Sequence, residues 1–382
     1  MSNNEVFQDA YNQMQEALKN GKLRRYANNQ FSRNESQRNK EFNRDFKRPA
    51  PKFLTTNDID DVKNYDAGQI LRLTLGNQGG IIELDTQDLR AFKQNIEFIE
   101  SLYKKKGKKG VVSKGITAKQ IIDASHPDDV DRANKQIYIA APLSQKNGVV
   151  HFLTNAGPQS KVQNHHVHVE FLAFQNLKNT IGYTAQNAKN LLNFGRLKFE
   201  CDCERHDFFG YRYIATIGGY GYGRPEHGYP KIRNELLVGV ACKHVLRVMD
   251  YIRSPMGIAY ISKQIEKARI KKTTKQDEER QYSTDVQIQD QLDQQGSPRT
   301  IKADHAAAER RMMRKSQEMA KKHWAKDLKE LKKLTDKLSD VTDMQSKQLQ
   351  ARQQALGKGL SEQELVAVEA YITNMMAQRG KN

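Results

Sequence analysis

Long hydrophobic runs are missing from this sequence. Across 382 residues no apolar stretch approaches the ~20 residues needed to cross a bilayer. The opening stretch, MSNNEVFQDAYNQ, lacks the basic-then-apolar order of a secretory signal. Neither a membrane-spanning nor a conventionally secreted chain is expected. Cysteine is nearly absent too: three residues are too few for a disulfide scaffold, which leaves reduced thiols. Apolar residues make up only 37% of the chain and the mean hydropathy is −0.82. That is below the usual apolar share of a compact chain, so part of it is expected to be extended or exposed.

Positive charge is what the sequence has in excess. It carries 63 Lys and Arg against 45 Asp and Glu, a formal +18. The surplus is clustered. Residues 19–52 hold eleven basic residues against Glu35, Glu41 and Asp45. Residues 103–119 hold seven lysines and no acid, centred on Lys104, Lys105, Lys106, Lys108 and Lys109. Residues 302–337 hold twelve basic residues against six acids. Clusters of this kind favour a polyanion, because each neutralised phosphate releases condensed counterions.

Along the chain, residues 1–52 read as a basic disordered arm, too polar to offset its ordering entropy. Residues 53–160 read as a small α+β domain. Period-two segments predict strands at Gln69–Leu75, Gly80–Leu84, Lys135–Ala140, Val149–Leu153 and Val167–Phe174, with a helix from Asp88 to Tyr103. Nothing there forms a phosphate loop, a nucleophile elbow or a carboxylate pair in catalytic context. Residues 254–301 read as a polar helix or linker, and 302–382 as a basic helical region. Within it Trp324, Leu328, Leu331, Leu334, Leu338 and Val341 form a narrow apolar stripe, expected to pair with another helix as in a coiled coil. A capping box at Ser361 and Glu364 predicts a last helix.

All three cysteines fall in two short pairs, Cys201-Asp202-Cys203 and Cys242-Lys243-His244. Zinc takes four thiolate or imidazole ligands in a tetrahedron. A Cys-x-Cys pair can place both thiolates on one metal from a strand end, and Cys-x-His can do so from the first turn of a helix, whose dipole favours thiolate. Leu197–Glu200 is strand-like, and Val245, Leu246, Val248, Met249 and Ile252 give an apolar helical face. His165, His166 and His168 read as partly exposed strand histidines, with His165 on the face opposite the other two.

Cys-x-Cys, an insert, and then Cys242-Lys-His-Val-Leu-Arg-Val248 resemble the SWIM-type zinc finger over about residues 165–252. The resemblance implies a zinc ion held by Cys201, Cys203, Cys242 and His244 in a ββα module, placed at 161–253. The 38-residue insert is longer than usual and brings His206 and His227 forward as competing ligands. Long-insert fingers of this kind look similar to ones in large tailed-phage proteins. The fold class expected for the whole is α+β: a mixed N-terminal domain, the zinc module, then long helices. The insert also carries glycines, aromatics and basic groups. Tyr220, Tyr222, Arg224, Lys231 and Arg233 read either as a nucleic-acid contact loop or as a mini-core over the metal.

Three classes compete for the function. The first is a non-enzymatic, zinc-stabilised nucleic-acid-associated protein, with DNA ahead of RNA as partner and no small-molecule substrate. The second is a structural or assembly protein contacting other subunits. The third is a transposase-like enzyme, for which no carboxylate set can be placed. The expected location is a virion or the nucleoid-associated cytoplasm.

Overall fold

Capping and turn residues place most element boundaries in this chain. A computed structural model describes residues 3–20, 33, 36, 86–103, 105–106, 112–180, 183–226, 230–234, 236–272, 280–295 and 299–357. In chain order its elements begin with α1 (Asn3–Lys19), α2 (Thr86–Tyr103), the paired strands β1 (Lys105–Lys106) and β2 (Val112–Ser113), α3 (Ala118–Ala124) and α4 (Pro127–Gln136). Next come β3 (Ala140–Lys146), β4 (Val149–Asn155), β5 (Asn164–Phe171), α5 (Phe174–Lys178), α6 (Ala185–Phe194) and β6 (Leu197–Cys201). They are followed by α7 (Glu204–Phe208), α8 (Tyr211–Gly218), α9 (Lys231–Asn234), α10 (Lys243–Arg253) and α11 (Pro255–Lys272). β7 (Gln281–Tyr282), α12 (Asp285–Gln294) and α13 (His305–Gly357) complete the set.

Five strands form one antiparallel sheet in the order β6-β5-β4-β3-β7. Its central hairpin turns at Asn147-Gly148, where both residues have positive φ (50° and 86°), the conformation a two-residue hairpin turn needs. β3 carries a register irregularity between Pro142 and Ser144, where a ladder donor is missing. One sheet face, with Val150, Phe152, Val167, Val169 and Phe199, packs under α10 through Val245, Leu246, Val248 and Met249. Part of the other face, with Leu143 and Leu153, packs under α1 and α12 through Phe7, Met14, Ile288 and Leu292.

Polar clamps fix these layers. Buried Arg247 on α10 donates to the carbonyls of Ile137 (2.6 Å), Ala133 (3.1 Å) and Arg299 (2.8 Å). Asp129 on α4 accepts two 2.9 Å bonds from Arg205 and a further bond from the Tyr211 hydroxyl. Such buried charges are tolerable because every one is paired.

Several expectations change. The strand expected at Lys135–Ala140 is the end of α4 and a connector, with β3 starting at Ala140. Pro127 at the first turn, capped by His126 and followed by Asp128 and Asp129, nucleates that helix. The strand expected at Val167–Phe174 ends at Phe171, since α5 begins at Phe174. The strands expected at Gln69–Leu75 and Gly80–Leu84 lie outside the described residues. Residues 3–19 of the expected disordered arm are α1, because Phe7, Ala10, Met14 and Ala17, at three-and-four spacing, bury one face on the sheet. No boundary exists at 160/161: β4 and β5 pair along seven positions across it, and one core cluster runs from Ile96 to Ile301. The polar segment 254–301 is mostly helical, with Ile261, Ile265, Ile288 and Leu292 buried.

The chain divides into a body up to Lys315 and a second unit from Ser316 onward. In the second, the described residues belong to α13. Trp324, Leu328, Leu331 and Leu334 stand 55–69% exposed on that helix, and the helix expected after Ser361 lies outside the described residues. Among the described residues no helix is long and apolar enough to cross a membrane.

Met14 is fully buried in the contact between α1 and the sheet. Met14→Ala should cost about 2–5 kcal/mol in denaturant unfolding, and amides of residues 3–19 should be protected in hydrogen exchange. Free exchange of those amides would return them to the disordered arm.

Candidate metal centre

Each half of the cluster sits where the backbone changes direction. Cys201 is the last residue of β6, and Cys203 caps α7, its sulfur accepting the His206 amide at 3.4 Å. Cys242 is the N-cap of α10, and His244 lies in that helix's first turn. The first pair therefore comes from the sheet's edge strand and the second from the helix lying over it. The four donor atoms all lie within 4.8 Å of one another, and no second such cluster occurs among the described residues. The four residues are 0–3% exposed.

Three thiols and an imidazole are a donor set that can hold a metal ion, of the kind zinc takes in closed sites. His244 turns Nδ1 toward Cys201 Sγ, at 4.0 Å, and its Nε2 has no hydrogen-bond partner. Burial pushes the His244 imidazole down to about 4, which keeps it the neutral ligand a metal requires. Burial also pushes the Cys201 and Cys203 thiols up. For Cys242 burial pushes the same way, but hydrogen bonds from the other two thiols and His244 outweigh it and bring the group down. The site thus concentrates negative charge on Cys242 at a helix N-terminus.

Neighbouring groups hold the ligands in place. The His165 ring packs 4.1 Å from that of His244. His165 Nδ1 meets Asp202 Oδ1 at 2.9 Å, and its Nε2 meets Ser160 Oγ at 3.2 Å. Asp202 Oδ1 also accepts the His166 amide at 3.0 Å, and Ser160 Oγ accepts the Val162 amide at 3.3 Å. The serine is thus engaged in a local turn, while the carboxylate ties the end of β6 to β5, which suits orientation of the neighbouring imidazole. Sequence reasoning placed His165 on the opposite strand face but missed this link. Its signal was the aspartate between the two cysteines. His165 and His166, expected to be partly exposed, are buried at 5% and 2%.

The remaining candidates scatter. His206 is buried beside Phe199 and is not among the clustered donors, and His227 lies outside the described residues. Tyr220 cannot offer a stacking face, since it is fully buried against Phe199 and Tyr103. That ring belongs to the main core of the body rather than to a separate small core over the metal. Tyr222 is half-buried and stacks on His168, with centroids 6.0 Å apart. Arg224 is exposed, and exposed Arg233 lies over the Phe208 ring at 5.5 Å. Lys231 opens α9. Lys105 and Lys106 form β1, whereas Lys104, Lys108 and Lys109 lie outside the described residues.

On the other sheet face His151, His166 and His168 crowd together, with His151 Nε2 2.8 Å from His166 Nδ1. Burial pushes His168 down to about 4 and lowers His151 and His166; neighbouring imidazoles and Arg280 add to this for His151 and His168, and His165 adds to it for His166 against the pull of Asp202. The folded state therefore binds fewer protons than the unfolded one between pH 6.5 and about 4, and stability falls as pH drops through that window. His168→Gln should lose less melting temperature than wild type between pH 7.5 and 5. An equal loss in both would exclude His168 as a contributor.

Cys242→Ser should abolish metal binding and lower the unfolding midpoint of the whole body up to Lys315, because Cys201, Cys203 and Cys242 belong to the same core cluster as Phe152 and Val248. Calorimetry with matched metal analysis checks this. An unchanged midpoint in metal-free protein would remove the stabilising role.

No known family model, curated protein or solved structure matches the chain, so the metal centre stands on its donor geometry.

Proposed function

We propose that this chain is a zinc-stabilised, nucleic-acid-associated protein with a SWIM-like finger, acting as a DNA-contacting component of a tailed-phage particle or of its assembly. The observation that carries the reading is the closed, buried donor set. Catalytic zinc keeps one coordination position for water or substrate, whereas here three cysteines and a histidine would fill the tetrahedron inside the core. Zinc bound there would supply folding energy by tying the end of β6 to the start of α10. Function then falls to groups outside the centre, and the chain as a whole is basic.

A net +18 concentrated in three sequence clusters supports a phosphate-bearing partner. One feature favours a second role in subunit assembly. The exposed stripe Trp324, Leu328, Leu331 and Leu334 is more apolar surface than a solvated helix needs. The two roles are compatible in a particle that packs nucleic acid.

Binding to duplex DNA should be mostly independent of sequence and fall steeply with salt, with a log–log slope of about −0.9 per phosphate contact. Replacing Lys104, Lys105, Lys106, Lys108 and Lys109 by Gln should weaken binding and flatten that slope in a fluorescence-anisotropy salt series. Affinity that does not change with salt would defeat the electrostatic reading.

A further inference from the structure

The surface holds a second basic feature, distant in sequence from the three charge clusters. An open groove of about 1130 Å³ lies along α6 and α11, with Arg253 from the end of α10 in its lining. Its cations are Lys189, Arg253 and Lys263, and among the described residues none of the three has an ion-pair partner. Glu266 is the acid of the lining, and Arg269 pairs with it at 3.5 Å. Among the described residues nothing neutralises the three cations of the groove.

We propose that this groove seats a single-stranded nucleic acid, an inference that rests on the nucleic-acid reading above and assigns it a site. Aromatic groups accompany the charge. Tyr183 lines the groove, its hydroxyl 3.2 Å from Ser262 and its ring 5.0 Å from the Arg269 guanidinium. Phe194, next to the lining Asn193 at the end of α6, is 76% exposed. Two lysines and an arginine without ion-pair partners among the described residues can track the backbone, and the exposed Phe194 ring offers a face for a base, which matches the requirements of strand binding. A duplex keeps its bases stacked inside and would leave Phe194 unused. A small anion would call for an enclosed site with buried donors, whereas Lys189 and Lys263 are exposed and the groove is open.

The test uses the full-length protein with a labelled oligothymidylate and a duplex of equal length, over a salt series. Lys189→Gln/Arg253→Gln/Lys263→Gln should bind the single strand more weakly, with a slope shallower by about 2, at about 0.7 per contact on single strands. Phe194→Ala should weaken strand binding about tenfold, within the range of one base–ring stack, and leave duplex binding unchanged. Metal content and melting temperature identical to wild type confirm folding. Lys189→Glu/Lys263→Glu, confined to exposed positions, repeats the test without touching half-buried Arg253. Variants that bind the strand with wild-type affinity and slope overturn the groove, leaving the general reading intact if wild type still binds in a salt-dependent way. Wild type that binds neither nucleic acid at low salt overturns both.

Discussion

Three thiols and an imidazole brought within 4.8 Å of one another inside an apolar core form an arrangement that the protein alone cannot satisfy well. Burial resists ionisation of Cys201 and Cys203, yet Cys242 gathers hydrogen bonds as though it were the anion. A divalent cation would resolve the conflict, because it would replace thiol protons and offset most of the thiolate charge inside the core. Metal bound there would link loading to folding. The two halves of the site belong to the edge strand β6 and to α10, the helix whose apolar face covers the sheet. Whatever fixes the cluster also fixes that helix on that sheet.

The neighbouring polar groups repeat the logic at lower charge. Asp129 gathers Arg205, Arg132 and Tyr211, and Arg247 spends its guanidinium on three backbone carbonyls. Glu200, one residue before the first ligand, is pushed up to about 7 by burial although Arg212 lies 2.9 Å away. These groups consume charge internally. By contrast Lys189, Arg253 and Lys263 line an open groove without ion-pair partners among the described residues. The division separates the charges that hold the fold from those available to a partner.

The ligand set was legible in the sequence because cysteine is so rare here that two local pairs leave few alternatives, and because the apolar face after His244 marks a helix start. The long α13 was legible from the three-and-four spacing between Trp324 and Val341 and the absence of proline and glycine breakers before Gly357. The helix α1 was not: averaged over 1–52 the composition is polar and basic, and that average hides the single stripe of Phe7, Ala10, Met14 and Ala17. The Asn147-Gly148 dipeptide is a strong hairpin signal, and it joins β3 to β4 at the centre of the sheet. Tyr220 looked like a contact residue because glycines surround it. Those glycines instead let the loop fold back onto β6, where the Phe199 amide donates to the Tyr220 carbonyl and the Phe199 carbonyl accepts the Tyr222 amide, and the Tyr220 ring is buried. The one-body architecture was hidden by the expectation that a zinc module carries its own small core, whereas this cluster lies within a core built from the whole sheet.

X-ray absorption at the metal edge of protein purified without chelator tests the central claim most directly. A closed structural centre predicts one zinc per chain with three sulfur neighbours at about 2.3 Å, one nitrogen at about 2.0–2.1 Å and no coordinated water. A first shell of oxygen and nitrogen without sulfur, or protein that is fully folded with no bound metal, would contradict it.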